Sequence, residues 1–459
     1  NSLIDSLVFA NIKEILLPDS QKTFNYLGLY FPGGPPRWMF DLPLYTNENE
    51  KGLIISNPMV STCFKKNTTF EQSLGVNHLG QIETSYELEK VKGLYLPPLW
   101  KSKIQKDGHL NANETLAQHC LFVRGLQSTP FHSGYFKAFQ PSAKVPSLGA
   151  LSSLTSNMTP LPGIQFQGDR IKFNHPNQNL PMYINEYPGQ NLSPDHFYQK
   201  VFSSFRMKSP QFTETLSNHK INLALNQLEK MGSKFNFSSR QIHQIRKRAT
   251  ILISDQLEII LDELNESYIE YQEVNELSMR KIIPGVDDSP IYNPQHSTNK
   301  DNNLPLHPKY PNIPTENFFL KFENYTKDFR EIIRSSQFSA TCHDLSVSLS
   351  LAEVLLKHNI SNNFHLPVGH LSGLINGQYR HQNKNDAHKL GAIPNLLFFT
   401  KYFQAVAHSI NHFTKRIGGD LFESTIIHLG SEFSRSARTD ATGSDHGDSA
   451  AQATIISGM

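Results

Sequence analysis

The clearest signal in the chain is where apolar residues cluster and where polar breakers stop them. Phe24, Tyr26, Leu27, Leu29, Tyr30 and Phe31 form a short apolar run that ends at the turn cluster Pro32-Gly33-Gly34-Pro35-Pro36. Such a run, bounded by Gly and Pro, predicts a buried strand over 24–31. Further strands are expected over 119–125, 162–167 and 364–369, and a last one through Ile426, Ile427 and Leu429. Between them lie stretches with apolar residues three or four apart, the spacing of a helix with one buried side. These predict helices over 1–17, 147–154, 214–231, 238–283, 345–358 and 395–416, and another starting at Thr315. The longest carries Ile242, Ile245, Ala249, Leu252, Leu257, Ile260, Leu264, Tyr268, Tyr271 and Val274 as its packing stripe. Unbroken, it would run about 65 Å at 1.5 Å per residue. That length suits a projecting hairpin, or two helices with a break.

Strands alternating with helices argue for an α/β fold with a mostly parallel central sheet. Residues 174–194 are rich in Asn, Pro and Gly and read as a linker, and 45–115 show few periodic runs, with 94–100 as a packed loop. Residues 284–314 are a low-apolar connector. The domain reading is a discontinuous α/β domain over 18–192 and 315–459, a helical insertion over 193–283 and the extended connector 284–314.

Composition narrows this reading. Apolar residues at 38% and charged residues at 18% of 459 fit a globular chain. A net charge of +2, without a basic patch interleaved with aromatics, gives no support for nucleic-acid binding. No apolar run approaches the about 20 residues of a membrane span. The three cysteines, Cys63, Cys120 and Cys342, are far apart and form no CxxC, which speaks against a thiolate zinc site and a disulfide framework. A first residue Asn1 in place of Met fits removal of a signal peptide, or a boundary of another kind.

Candidate chemistry gathers after the strands. The last strand runs into Ser431-Glu432-Phe433-Ser434-Arg435-Ser436, and then Gly443-Ser444-Asp445-His446-Gly447. Open α/β sheets bind ligands just past the carboxyl ends of their strands, so a polar loop holding Glu432, Arg435, Asp445 and His446 is expected to line such a site. The strand over 119–125 exits into Ser128, Thr129, His132 and Ser133. There a nucleophile or an anion-binding helix start would lie, and the same residue types also serve as plain helix caps. Asp41 follows the Gly-Gly-Pro turn of the first strand.

These motifs resemble those of an exported bacterial family of sulfatase-like proteins within the alkaline phosphatase superfamily. Ser431-Glu432-Phe433-Ser434-Arg435-Ser436 is similar to its S-E-F-G-R-T motif, and Gly443-Ser444-Asp445-His446-Gly447 to its G-T-D-H-G motif. The turn at 32–35 resembles its G-G-P segment, and 123–132 its R-S-M-x-T…H segment. The likeness covers about 30–165 and 340–459, with the helical block between as an elaboration.

The resemblance implies a sulfatase-like α/β sandwich and a periplasmic or cell-surface location. It also implies hydrolysis of sulfate or phosphate esters with one or two divalent metals (Zn, Ca or Mg). On it, Asp41, Asp445 and His446 are candidate metal ligands, and Ser128, Thr129, His132, Glu432 and Arg435 candidate catalytic residues. The departures are as informative. After Gly33-Gly34-Pro35-Pro36 the family's metal Asp would fall near Trp38 or Met39, whereas the nearest carboxylate is Asp41. After the strand at 364–369 the family has an aromatic-Asp-Thr-His ligand motif, and here His370, His381, Asp386 and His388 have other spacings. The chain also stops at Met459, where the family usually continues.

The sequence therefore leads to a sulfatase/phosphatase-like protein with a degenerate metal site, acting as a binding or assembly component. The alternative is an active metal-dependent ester hydrolase. An assembly role would use the helical insertion to contact other proteins, and it predicts an exposed apolar stripe there.

Overall fold

The computed structural model describes residues 24–31, 34, 89–91, 93–96, 116–127, 139, 147–155, 159, 163–166, 182–184, 198, 257–280, 342–368, 392–431, 435–437, 444–446 and 450–458. Its strands are β1 (Asn25–Phe31), β2 (Glu89–Val91), β3 (Leu94–Leu96), β4 (Cys120–Gln127), β5 (Ile164–Phe166), β6 (Met182–Ile184), β7 (Asn363–Pro367), β8 (Thr425–Ser431), β9 (Arg435–Ala437), β10 (Ser444–His446) and β11 (Ala450–Ser457). Its helices are α1 (Leu148–Thr155), α2 (Leu257–Arg280), α3 (His343–Lys357), α4 (Ala392–Ile417) and α5 (Gly419–Glu423). The fold is α/β, built on a mixed seven-stranded sheet of order β4-β11-β8-β1-β7-β5-β6.

The ladders β1–β7, β1–β8, β5–β6 and β5–β7 are parallel, and β11 is antiparallel to both β4 and β8. Two antiparallel pairings through one strand mean that β4 runs the same way as β8. Among the described strands of this sheet, β11 alone runs against the rest. It is also a strand the sequence pattern did not mark, as is β6, which joins the sheet inside the expected linker at 174–194. Residues 94–96, expected in a loop, form β3 of a hairpin with β2, turned by Gly93 at φ 80°.

Alternation along the strands gives the sheet two unlike faces. On one side, Leu27 aligns with Phe364 and Ile427, and Leu29 with Leu366 and Leu429; these residues and Phe31 are all buried. Helices α3 and α4 cover this side, with the rings of Phe31 and Phe403 6.0 Å apart. On the other side, Tyr26 and Tyr30 pack with Phe139, against Leu148 of α1.

Helix α2 lies across α3 and α4. Its stripe residues Ile260, Leu264, Tyr271 and Val274 are buried there, so over Leu257–Arg280 the stripe read from the sequence is a core seam and not an exposed arm. Polar contacts zip the same seam. Gln272 and Asn275 donate to Ser346 Oγ at 3.0 and 2.7 Å, and Ser409 donates to Asn275 Oδ1 at 2.6 Å. At its centre the fully buried Glu353 accepts from Ser267, Tyr271, Lys357 and Arg416. Burial would raise the Glu353 pKa, but the hydrogen bonds and charges of Lys357 and Arg416, with Tyr271, outweigh it and hold the carboxyl below its ordinary range.

Helix α4 ends at Ile417, one residue past the expected range 395–416. Gly418 sits at φ 81°, a left-handed conformation that glycine adopts without a Cβ penalty. A short α5 then leads straight into β8. The expected helices at 1–17, 214–231 and from Thr315, the part of 238–283 before Leu257, and the connector 284–314 lie outside the described residues.

Candidate functional site

Four parallel strands end at one edge of the sheet. Phe31 of β1 is aligned with Ser431 of β8, and Tyr30 with Pro367 of β7. The amide of Val368 continues that ladder by donating to Tyr30 O at 2.7 Å. Gln127, the last residue of β4, is opposite Ala450, the first of β11. The chain therefore leaves this edge toward Pro32, Ser128, Gly369 and Glu432. Strand β1 lies at the centre, with β8 on one side and β7 on the other. The connection through α4 passes from one side of β1 to the other, the arrangement that opens a crevice at a sheet's carboxyl edge.

Asp41, Ser128, Thr129, His132 and Glu432 themselves lie outside the described residues. Arg435, Asp445 and His446 belong to β9 and β10, so the polar loop expected after the last strand is in this part a two-stranded ribbon. Its register places His446 opposite Arg435 and Asp445 opposite Ser436. The two motifs thus share adjacent strands.

Below this edge runs a feature the sequence reading did not single out. At the level of Gly28, the β1–β8 and β1–β7 registers align His428 on one side and His365 on the other, and Gln165 of β5 is aligned with His365. All three side chains are buried. Tyr26 Oη lies 2.9 Å from His428 Nδ1, and its ring centroid is 5.1 Å from that of His365. The Phe139 ring closes the row from above, 4.5 Å from His428.

Burial, with a smaller contribution from His428, pushes the His365 pKa down to about 3, so this imidazole is neutral across the ordinary pH range. Burial likewise raises the Tyr26 phenol well above its usual value, which keeps its proton in place. Two glycines make room for the row. A Cβ on Gly28 would stand 3.1 Å from His365 Nδ1, and one on Gly149 would run into His365 Nε2 and reach 2.5 Å from Asn363 Oδ1. The available signal was a single imidazole in each of two otherwise apolar strands.

The helical side of the edge carries a second group. Phe403 meets Phe31, the last residue of β1, so its neighbour Tyr402 stands at the edge level. The Tyr402 pKa is raised well above normal, first by burial and then by the nearby Asp344 and Cys342 of the first turn of α3. Asp344 Oδ1 accepts from the Leu345 amide at 2.9 Å, and Asp344, Cys342 and Tyr402 are all buried. The start of α3 and the middle of α4 therefore bring these buried groups near one another on the helical side of the sheet.

Among the described residues, no three His, Cys, Asp or Glu side chains stand close enough to share a metal ion. Among the same residues, no helix is long and apolar enough to cross a membrane. No family model, curated protein or solved structure matches this chain.

Proposed function

We propose that this chain is an exported sulfatase/phosphatase-like protein with a degenerate metal site, which binds a ligand or takes part in an assembly without turning over an ester. One observation carries the reading. The two strands flanking β1 leave the same carboxyl edge, one on each side of it, but they lead into unequal sequences. From β8 the chain enters the segment with Glu432, Arg435, Asp445 and His446, the half that resembles the sulfatase-like motifs. From β7, aligned next to Tyr30, it enters Val368-Gly369-His370-Leu371, where the resemblance calls for an Asp-x-His ligand pair.

Carboxylate and imidazole suit Zn, Ca or Mg, and Asp445 and His446 have the right chemistry. Yet Asp41 is displaced from the matching position and the Asp-x-His pair is missing. The residue set therefore does not fit a complete two-metal centre, and no catalytic step is derived through one. What remains suits recognition: a guanidinium at Arg435 to pair an anionic group, on the ribbon that follows β8 in the chain.

The second reading, an active metal-dependent hydrolase of sulfate or phosphate esters, is favoured by the ribbon register. That register sets His446 across from Arg435, and the hydrolase would use Asp445, His446, His132 and an acid such as Asp41, with Ser128, Thr129 or Ser133 as the nucleophile or its neighbour. Elemental analysis of the purified protein, with turnover of aryl sulfate and aryl phosphate, separates the two. The degenerate site gives substoichiometric Zn, Ca, Mg and Mn and no turnover. A stoichiometric, tightly held metal with turnover abolished by Asp445→Asn would overturn it in favour of the hydrolase.

A further inference from the structure

The outer side of α2 carries a pattern separate from the seam that packs on α3 and α4. Ile259, Asp262, Glu266, Ile269, Glu273 and Leu277 recur three or four residues apart along one face. All are exposed, with Ile259 and Ile269 each 55% exposed and Leu277 39%. Ile259, Ile269 and Leu277 share one face about 27 Å long with acids between them, so a helix laid along that face would meet an apolar anchor about every two to three turns.

Charge selects what that helix must be. Helix α2 holds seven acids, Glu258, Asp262, Glu263, Glu266, Glu270, Glu273 and Glu276, against the single cation Arg280 at its end. The inward acids are answered within the chain: Glu263 meets His358 at 2.6 Å, and Glu270 meets Arg416 and His412. On the outward face Asp262 and Glu266 stand between Ile259 and Ile269, and no Lys, Arg or His occurs on α2 before Arg280. An identical helix from a second copy would set acid against acid, and an anionic lipid surface would be repelled.

We propose that the outer face of α2 is a docking surface for a basic amphipathic helix of a partner protein. The partner's apolar stripe covers Ile259, Ile269 and Leu277, and its Lys or Arg side chains face Asp262 and Glu266. This places the assembly surface on the opposite side of α2 from the stripe read in the sequence.

The test titrates the full chain with a synthetic 18-residue helix carrying Leu on one stripe and Lys beside it, and with a control in which every Lys is Glu. One-to-one binding of the basic helix is expected, weaker at higher salt. It should fall at least about tenfold, or about 1.4 kcal/mol, in Ile259→Ser/Ile269→Ser and in Asp262→Lys/Glu266→Lys. Both variants change exposed residues, and unaltered circular dichroism and melting establish that they fold. Leu121→Ser, at an apolar side chain 62% exposed elsewhere on the molecule, should bind as the unaltered chain does. No binding, equal binding of the acidic helix, or equal affinity in all variants would overturn the proposal. So would a dimer, seen by sedimentation, that dissociates in Ile259→Ser/Ile269→Ser, because the face would then belong to a second copy.

Discussion

The Tyr26 hydroxyl meets His428 Nδ1 at 2.9 Å, joining two central strands whose residues are 402 positions apart in sequence. Both side chains are buried, so neither group can exchange this bond for one to bulk water. Losing one partner of a buried hydrogen bond costs about 1–3 kcal/mol, more than the net worth of the bond itself. Tyr26→Phe should therefore lower the urea unfolding free energy by roughly that amount. In a His428→Leu background the same substitution should cost clearly less, since no imidazole then remains to be stranded. Equal costs in the two backgrounds would show that the pair is not coupled.

The depressed imidazoles predict acid sensitivity. His365 titrates near 3 in the fold, and burial also lowers His343 and, against the pull of Glu270, His412. An unfolded His takes its proton near 6.5. Above that value both states are neutral and the contribution to stability is complete. As pH falls below it, the unfolded chain binds protons the folded chain refuses, and stability is lost. For His365 the loss is about 1.4 kcal/mol per pH unit, continuing toward pH 3. Among the described residues, the groups around this ring are His428, Tyr26, Asn363 and Gln165, and none of these supplies a negative charge to offset the proton. Urea midpoints measured between pH 7 and 4 should fall with a slope that His365→Gln reduces. An unchanged slope would assign the acid sensitivity to other groups.

Gly149 is required by contact, not by backbone conformation. A methyl group there would occupy the space of His365 Nε2 and Asn363 Oδ1, and α1 is held against the sheet on this side by Leu148. Overpacking of this kind costs about 1–3 kcal/mol. Gly149→Ala should lower thermal stability accordingly, and adding His365→Ala should recover part of the loss by vacating the space. Failure of the second change to recover anything would locate the strain elsewhere in α1.

How much of this was legible depended on whether local pattern and tertiary slot agreed. Strands β1, β4, β7 and β8 carry apolar runs ended by breakers, and Gly418 marks the end of α4, so these elements could be read residue by residue. Strand β11 begins Ala450-Ala451-Gln452-Ala453, poor strand formers. Pairing on both edges, with β4 and β8, makes it a strand, and no local window holds that information. Strand β6 is three residues set among Pro, Asn and Gly, with the same difficulty. For α2 the periodicity gave the buried stripe correctly, but not that its cover is this chain's own α3 and α4. The candidate site was legible as four strand exits and one pair of motifs. The Tyr26–His365–His428 row was not, because its members become neighbours only through the sheet order β8-β1-β7. No sequence spacing encodes that order.

Glu353 joins three helices through one charge. It is fully buried on α3, yet it takes hydrogen bonds from Lys357 at 2.6 Å and Arg416 at 2.9 Å through one oxygen, and from Tyr271 at 2.9 Å and Ser267 at 3.1 Å through the other. The four donors come from α2, α3 and α4, so a single carboxylate ties the three helices together. Removing one member of a buried ion network leaves its partners uncompensated, at about 3–5 kcal/mol. Glu353→Ala should cost that much, and Glu353→Gln less, because the amide keeps one acceptor for Tyr271 and Ser267 but cannot answer two cations. The carboxyl is held below its ordinary range in the fold, so its contribution is complete above the unfolded carboxyl pKa. It is lost as pH falls through the lower folded value. Chemical denaturation of both variants at pH 7 and pH 3 gives the check. The Glu353→Gln deficit should be large at pH 7 and should shrink at pH 3, where the unaltered carboxyl begins to lose its charge too. A deficit unchanged by pH would mean that shape, and not charge, carries the role of Glu353.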